Sequence, residues 1–210
     1  GYRSYCGSSA ADARIVAAHR RLPLLELSHH GWEHTVARFD VRREPREALR
    51  FGWIVEIDPY DAGAPARKRT ALGRFSHEGA SCALARDGRV AVYTGDDKEF
   101  EYLYKFVTRD RCDLARPQAN RDLLDHGTLH VARFAADGSG EWLPLVSGSG
   151  PLTARAGFAD AGDVHIKARA AADLLGATPM DRPEDVEVHP HTGRVYVAFT
   201  KNPHRAVAAR

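Results

Sequence analysis

The stretch MDRPEDVEVHPHTGRVYVAFTKNP, Met180 to Pro203, repeats the layout of SHEGASCALARDGRVAVYTGDD, Ser76 to Asp97. In each, a carboxylate opens a strand, a tight turn ending in Gly reverses the chain, and a β-rich strand runs out into a polar side chain. Glu78 lies ten residues before Gly88 and Asp97 nine after it; Glu184 lies nine before Gly193 and Asn202 nine after it. One turn residue differs, and the rest is in step.

Working outward, the pattern predicts more antiparallel strands. FGWIVEIDP (51–59) and KRTALGRF (68–75) read as a hairpin across DAGAPA, EYLYKFVT (101–108) as a strand with alternating aromatics, and GTLHVARF with EWLPLV as a hairpin across AADGSG. The best-supported helix is DVHIKARAAADLL, Asp163 to Leu175, stopped by Gly176 and Pro179. A weaker helical signal covers AADARIVAAHRRL (10–22). HHGWEHTVARFD (29–40) reads as a loop, and VRREPREALR (41–50) as a charged connector interrupted by Pro45.

Hairpins of this kind suit a β-sandwich and a β-propeller equally well. The matching carboxylates favour the propeller, because radial repetition brings equivalent positions to one axis. The expected fold is therefore mainly β: a partial propeller of about two blades of four-stranded antiparallel sheets, with one or two short helices. Residues 1–210 are read as a single partial domain, with the blades at 51–202 and an unplaced segment at 1–28. The 106-residue offset between Glu78 and Glu184 exceeds one blade of roughly 40–50 residues, which implies an inserted strand and helix, or two blades. Two blades cannot close a propeller that needs at least about four, so the chain reads as a fragment or as an open fold.

Composition narrows the function. A net charge of +2 from 30 basic and 28 acidic residues, with no basic stripe interleaved with aromatics, gives no reason to expect nucleic acid. No apolar run approaches the roughly 18 residues of a membrane span, and no signal peptide is visible. Cys6, Cys82 and Cys112 lack a CxxC pattern and define neither a disulfide framework nor a zinc site. The sequence has no GxSxG, P-loop, GxGxxG or HExxH motif.

Glu78 and Glu184, with Asp97 and more weakly Asn202, form two sets of hard oxygen donors, the type that suits Ca2+ or, for carboxylates, iron and manganese. Solvated strand-end acids are the plain alternative. Arg182 precedes Glu184 by two positions, and Pro183 is expected to hold it extended, so that both head groups face one side. An Arg beside metal-binding carboxylates suits a phosphate; a local pair with Asp181 or Asp185 is the competing arrangement. His77 points away from Glu78 and reads as packing or support. Of Asp96 and Asp97 only one faces the site, and the repeat selects Asp97. His189 and His191 read as surface residues.

The succession RFGWIVEIDPYD, KRTALGRFSHEGA, VYTGDDKEFEYLYKF, LLDHGTLHVARFAADGSGEWLPLV and GATPMDRPEDVEVHPHTGRVYVAFTKN resembles the PhoX-type alkaline phosphatases from about His30 to Asn202. The resemblance implies a secreted or periplasmic, usually Tat-exported propeller phosphomonoesterase, a monomer acting on phosphate monoesters without nucleic-acid or membrane partners. It implies a Ca2+ and Fe3+ cluster with Glu78, Asp97 and Glu184 among its ligands and Arg182 holding the substrate phosphate. Where such proteins carry Thr-Asn-Asn, this chain has Thr200-Lys201-Asn202, and the context of Cys6 does not match the family's cysteine ligand. By this reading the chain is an internal fragment of the enzyme that is inactive by itself. The alternatives are a calcium-dependent propeller lactonase or esterase, and a non-catalytic propeller scaffold.

Overall fold

The structure is a computed structural model that describes His19, residues 21–22 and residues 29–205. The helical signal at 10–22 falls almost wholly outside these residues. Eleven strands are described: β1 (Val55–Glu56), β2 (Arg67–Lys68), β3 (His77–Leu84), β4 (Arg89–Asp96), β5 (Glu99–Glu101), β6 (Leu103–Arg111), β7 (Gly127–Phe134), β8 (Gly140–Pro144), β9 (Met180–Asp181), β10 (Pro183–Val188) and β11 (Val195–Phe199). Two helices, α1 (Ala161–Ile166) and α2 (Ala168–Leu175), separate β8 from β9.

The main sheet is a five-stranded antiparallel meander in the order β3-β4-β6-β7-β8, one strand more than the expected blade. Alternation sorts its side chains by face. On one face Val92, Tyr104, Phe106, Leu129 and Val131 are buried against Leu72, Phe75, Leu152, Val164 and the alanines of α2. Burial of each large side chain here contributes on the order of 1.5–3 kcal/mol. On the other face Leu103 and Ala132 meet Met180 and Val186, flanked by Tyr93, Trp142, Val195 and Val197. The β10–β11 hairpin therefore lies across the sheet that contains the first hairpin, β3–β4. The chain is a mainly β, partial propeller with several antiparallel sheets and few helices.

The repeat is more complete in three dimensions than in sequence. The β3–β4 register slips between Glu78 and Ser81, and the β10–β11 register slips between Pro183 and Val186. Each carboxylate thus sits at a β-bulge, a device that re-aims side chains and bends the strand beside it. Gly88 and Gly193 close the two turns at φ 85° and 69°, a left-handed conformation that glycine adopts without strain.

Three expectations need correction. The hairpin read at FGWIVEIDP and KRTALGRF shrinks to the two-residue pair of β1 with β2. Consecutive Ala71 and Leu72 both enter the core, 6% and 1% exposed, which a strand with one buried face cannot achieve; a 3-10 turn at Thr70–Leu72 does. The helix expected over 163–175 is two helices that begin at Ala161 and break at Lys167 (φ −108°, ψ 34°). Lys167 is buried there, its ammonium 3.0 Å from Asp163 and bonded to the Gly157 carbonyl. The segment read as a loop at 29–40 contains 3-10 turns at Trp32–His34 and Ala37–Phe39.

Helix α1 starts with a reciprocal cap. The Asp160 side chain accepts from the Asp163 amide at 2.8 Å, and the Asp163 side chain accepts from the Ala159 amide at 3.0 Å. Asp160→Ala is expected to cost about 1 kcal/mol, measured as a lower urea midpoint at unchanged m-value. An unchanged midpoint would mean that packing alone sets the helix start.

Candidate functional site

The site forms where β10 crosses the ends of β3 and β4, and two glycines make the crossing possible. A Cβ on Gly95 would stand 2.4 Å from the Pro183 carbonyl oxygen and 2.8 Å from that of Glu184. A Cβ on Gly79, at φ 68° in the first bulge, would stand 3.1 Å from Asp185 Oδ1. The backbone of the second hairpin therefore rests almost directly on the first, the close approach that an in-strand glycine marks. Short pairing of β5 with β9, Glu99 opposite Asp181, ties the two segments together beyond the crossing.

Arg182 occupies the junction. Its Nη2 donates to Asp97 Oδ2 at 3.0 Å, lies 2.8 Å from Asp97 Oδ1, and lies 3.2 Å from Glu184 Oε1. Glu184 Oε1 also accepts from the Thr200 hydroxyl at 2.6 Å. Among the described residues the Arg182 Nε and Nη1 groups have no hydrogen-bond partner, and the side chain is 32% exposed. The hydrogen bond to Asp97 raises the guanidinium's pKa further, so it stays charged. Asp97 Oδ1 is a buried carboxylate oxygen that accepts no hydrogen bond among the described residues and is ion-paired with Arg182.

Arg182 is not extended as expected from the following proline. It has φ 46°, and with Phe100 (φ 62°) it is one of two non-glycine residues with positive φ among those described. Phe100 is the bulged middle residue of β5 and Arg182 directly follows β9, so strained backbone is concentrated at this junction, a pattern that points to function. The turned backbone still brings the Arg182 and Glu184 head groups together. It also excludes the local pairing: Asp181 is taken by Arg205 and by Asn202 Nδ2 at 2.8 Å, while Asp185 Oδ1 accepts from the Val186 amide at 3.0 Å. The Arg205 hydrogen bond holds the Asp181 pKa below the usual carboxylate range.

Of the residues singled out from sequence, Arg182, Asp97 and Glu184 meet. Glu78 is exposed on β3 opposite Gly95, in the layer beneath β10, without a hydrogen bond or ion pair among the described residues. Asn202 sides with Asp181. No group of three His, Cys, Asp or Glu side chains disposed to hold a metal occurs among the described residues. The oxygen donors that do converge, with one buried carboxylate oxygen lacking a hydrogen bond, have the chemistry of a partial hard-cation site.

His77 supports the site from below, as its orientation in the strand predicts. Its ring lies 3.8 Å from that of Phe75, Nε2 donates to the Gly73 carbonyl at 2.9 Å, and Nδ1 shares the Thr94 hydroxyl at 3.0 Å. Burial lowers its pKa to about 4. Asp96 is fully buried and Asp97 turns to Arg182, the division expected of adjacent strand residues. Sequence reading missed Gly79, Gly95, Thr200 and Arg169; only the glycines carried a signal, being isolated within strand patterns. A cavity of about 560 Å3 beside Arg89, Arg109 and His130 and another of about 210 Å3 beside Arg67 and Arg121 lie elsewhere.

An antiparallel partial propeller that brings a charged arginine and two acids together from two bulged hairpins defines the class as a β-fold with a polar, charged site at a hairpin crossing. The family model described as alkaline phosphatase PhoX matches residues 10–210, and the chain belongs to that family. It is similar to the solved structure of Pseudomonas fluorescens PhoX in complex with vanadate, a transition state analogue, at 45% identity and a TM-score of 0.90. The match covers 98% of this chain and 37% of that one. No curated protein matches the chain. No helix among the described residues is long and apolar enough to cross a membrane.

Proposed function

We propose that this chain forms part of a metal-dependent phosphomonoesterase that releases inorganic phosphate from phosphate monoesters. The observation that carries the reading is Arg182: the acids hold it at the crossing through Nη2, which leaves the Nε and Nη1 donors, on separate edges of the guanidinium, to meet oxygens of a phosphoryl group. Binding of vanadate by the Pseudomonas fluorescens protein, whose matching part is 45% identical, supports the same class of anion here.

Asp97 and Glu184, and Glu78 from the strand beneath β10, would hold Ca2+ and Fe3+, the remaining ligands coming from other parts of the complete protein. Such cations supply Lewis-acid neutralisation of the ester oxygens. Arg182 orients the phosphoryl group and stabilises charge on its equatorial oxygens, while Asp97 and Glu184 fix the position of Arg182. Thr200 fills one side of Glu184 Oε1 and so directs the carboxylate. Asn202 keeps a lesser candidacy as a ligand. The expected setting is the periplasm or the exterior, reached by Tat export, with the complete enzyme a monomer.

The test is elemental analysis of the complete protein carrying Asp97→Ala or Glu184→Ala, with p-nitrophenyl phosphate turnover measured on the same preparations. Loss of calcium or iron together with loss of turnover is the expected result. Parental metal stoichiometry and turnover in both variants would refute the reading.

A further inference from the structure

We propose that Asp96 and Arg169 are positioning residues that fix the direction of Asp97, an inference that rests on the phosphatase reading. Asp96 is 0% exposed at the end of β4. Arg169, on α2 and itself buried, donates to it bidentately, Nε to Oδ2 at 2.7 Å and Nη2 to Oδ1 at 2.6 Å. The Ser76 amide adds a third bond to Oδ1 at 3.1 Å.

The backbone on either side of Asp97 is held by the same assembly. The Asp96 amide donates to the Tyr102 carbonyl at 3.0 Å, the Asp97 amide to the Ser76 carbonyl at 2.9 Å, and the Lys98 amide to the Asp96 carbonyl at 2.7 Å. Among the described residues Asp97 makes its side-chain hydrogen bond to Arg182 alone. Its direction is therefore set from behind, by a neighbour whose carboxylate is anchored to a helix 73 residues away in the chain.

Stability alone does not require this pair. Apolar residues of similar volume in place of a buried ion pair are often neutral or stabilising. They would lack the two-point, planar geometry that a guanidinium imposes on a carboxylate. Arg169 is further oriented by its bond to the Arg21 carbonyl at 3.0 Å and by Glu101 at 3.6 Å, so the clamp itself is held rigidly. Ser76 joins the arrangement through its hydroxyl, 3.3 Å from Arg169 Nη2.

The test compares stability with catalysis in the complete protein. The double variant Asp96→Leu/Arg169→Met is expected to keep the parental melting temperature within a few degrees. Its kcat/KM on p-nitrophenyl phosphate should fall about 100-fold, mainly in kcat, and calcium affinity about 10- to 100-fold. A double variant with parental stability, kcat/KM and calcium affinity would overturn the proposal, leaving the pair a purely structural one. Should the double variant fail to fold, Arg169→Lys keeps the charge without the fork. A roughly 10-fold loss of kcat is then expected, and parental kcat would overturn the proposal. Asp97→Ala separates this idea from the broader one. If it is inactive while the double variant is fully active, only the positioning role falls; if it keeps parental metal and turnover, the phosphatase site falls and the positioning role with it.

Discussion

Arg182→Lys in the complete protein is expected to lower kcat/KM on p-nitrophenyl phosphate about 1,000-fold, or about 4 kcal/mol of transition-state stabilisation. The reason lies in how the guanidinium is divided. Nη2 is committed to Asp97 and Glu184, while Nε and Nη1 remain free among the described residues. A lysine ammonium is a single point charge that can neutralise the acids or meet the phosphoryl group, but cannot span both with fixed geometry. Because the positive charge persists beside the two carboxylates, bound calcium and iron should stay at parental stoichiometry. Arg182→Ala is expected to lose at least as much activity. Parental turnover in either variant would remove Arg182 from the site.

Gly95→Ala should have the largest structural effect of any single-methyl change near the site. Its φ is not in the left-handed region, so alanine is conformationally acceptable, and only space opposes it. The added Cβ would overlap two backbone carbonyl oxygens of β10, at 2.4 and 2.8 Å, and neither is the end of a flexible side chain. The hairpin must lift, at a cost of about 1–3 kcal/mol, and it carries Arg182 and Glu184 with it. A lower denaturant midpoint and loss of turnover should therefore appear together. Gly63→Ala, whose Cβ would meet only Asp61 Oδ1 at 3.4 Å in an exposed turn, is expected to stay within about 0.5 kcal/mol of the parent. Equal effects at both positions would show that the crossing at Gly95 tolerates a methyl group.

The contrast between these two glycines shows where sequence reading stopped. Alternation in RVAVYT and YLYKFV marked the strands, and Gly88 and Gly193 marked the turns, because strand periodicity and left-handed turn residues are local properties. The succession of motifs was enough to indicate the family. The break of the helix at Lys167 was not legible, since it depends on a buried ammonium reaching Asp163 and the Gly157 carbonyl.

At the site the division follows the same line. Residues 180–203 and 76–97 indicated, through their matched spacing, two carboxylate hairpins with Glu78, Asp97, Glu184 and Asn202 as candidate oxygen donors, and Arg182 two positions before Glu184 as their cationic neighbour. Only the tertiary structure decided that Arg182 turns to φ 46° and pairs across the crossing rather than with Asp181, and that Asn202 joins Asp181 instead. Periodicity tells which face of a strand a side chain occupies. It does not tell which groups meet when one hairpin is laid over another, because that depends on the absent Cβ of Gly95 and on where each bulge bends its strand.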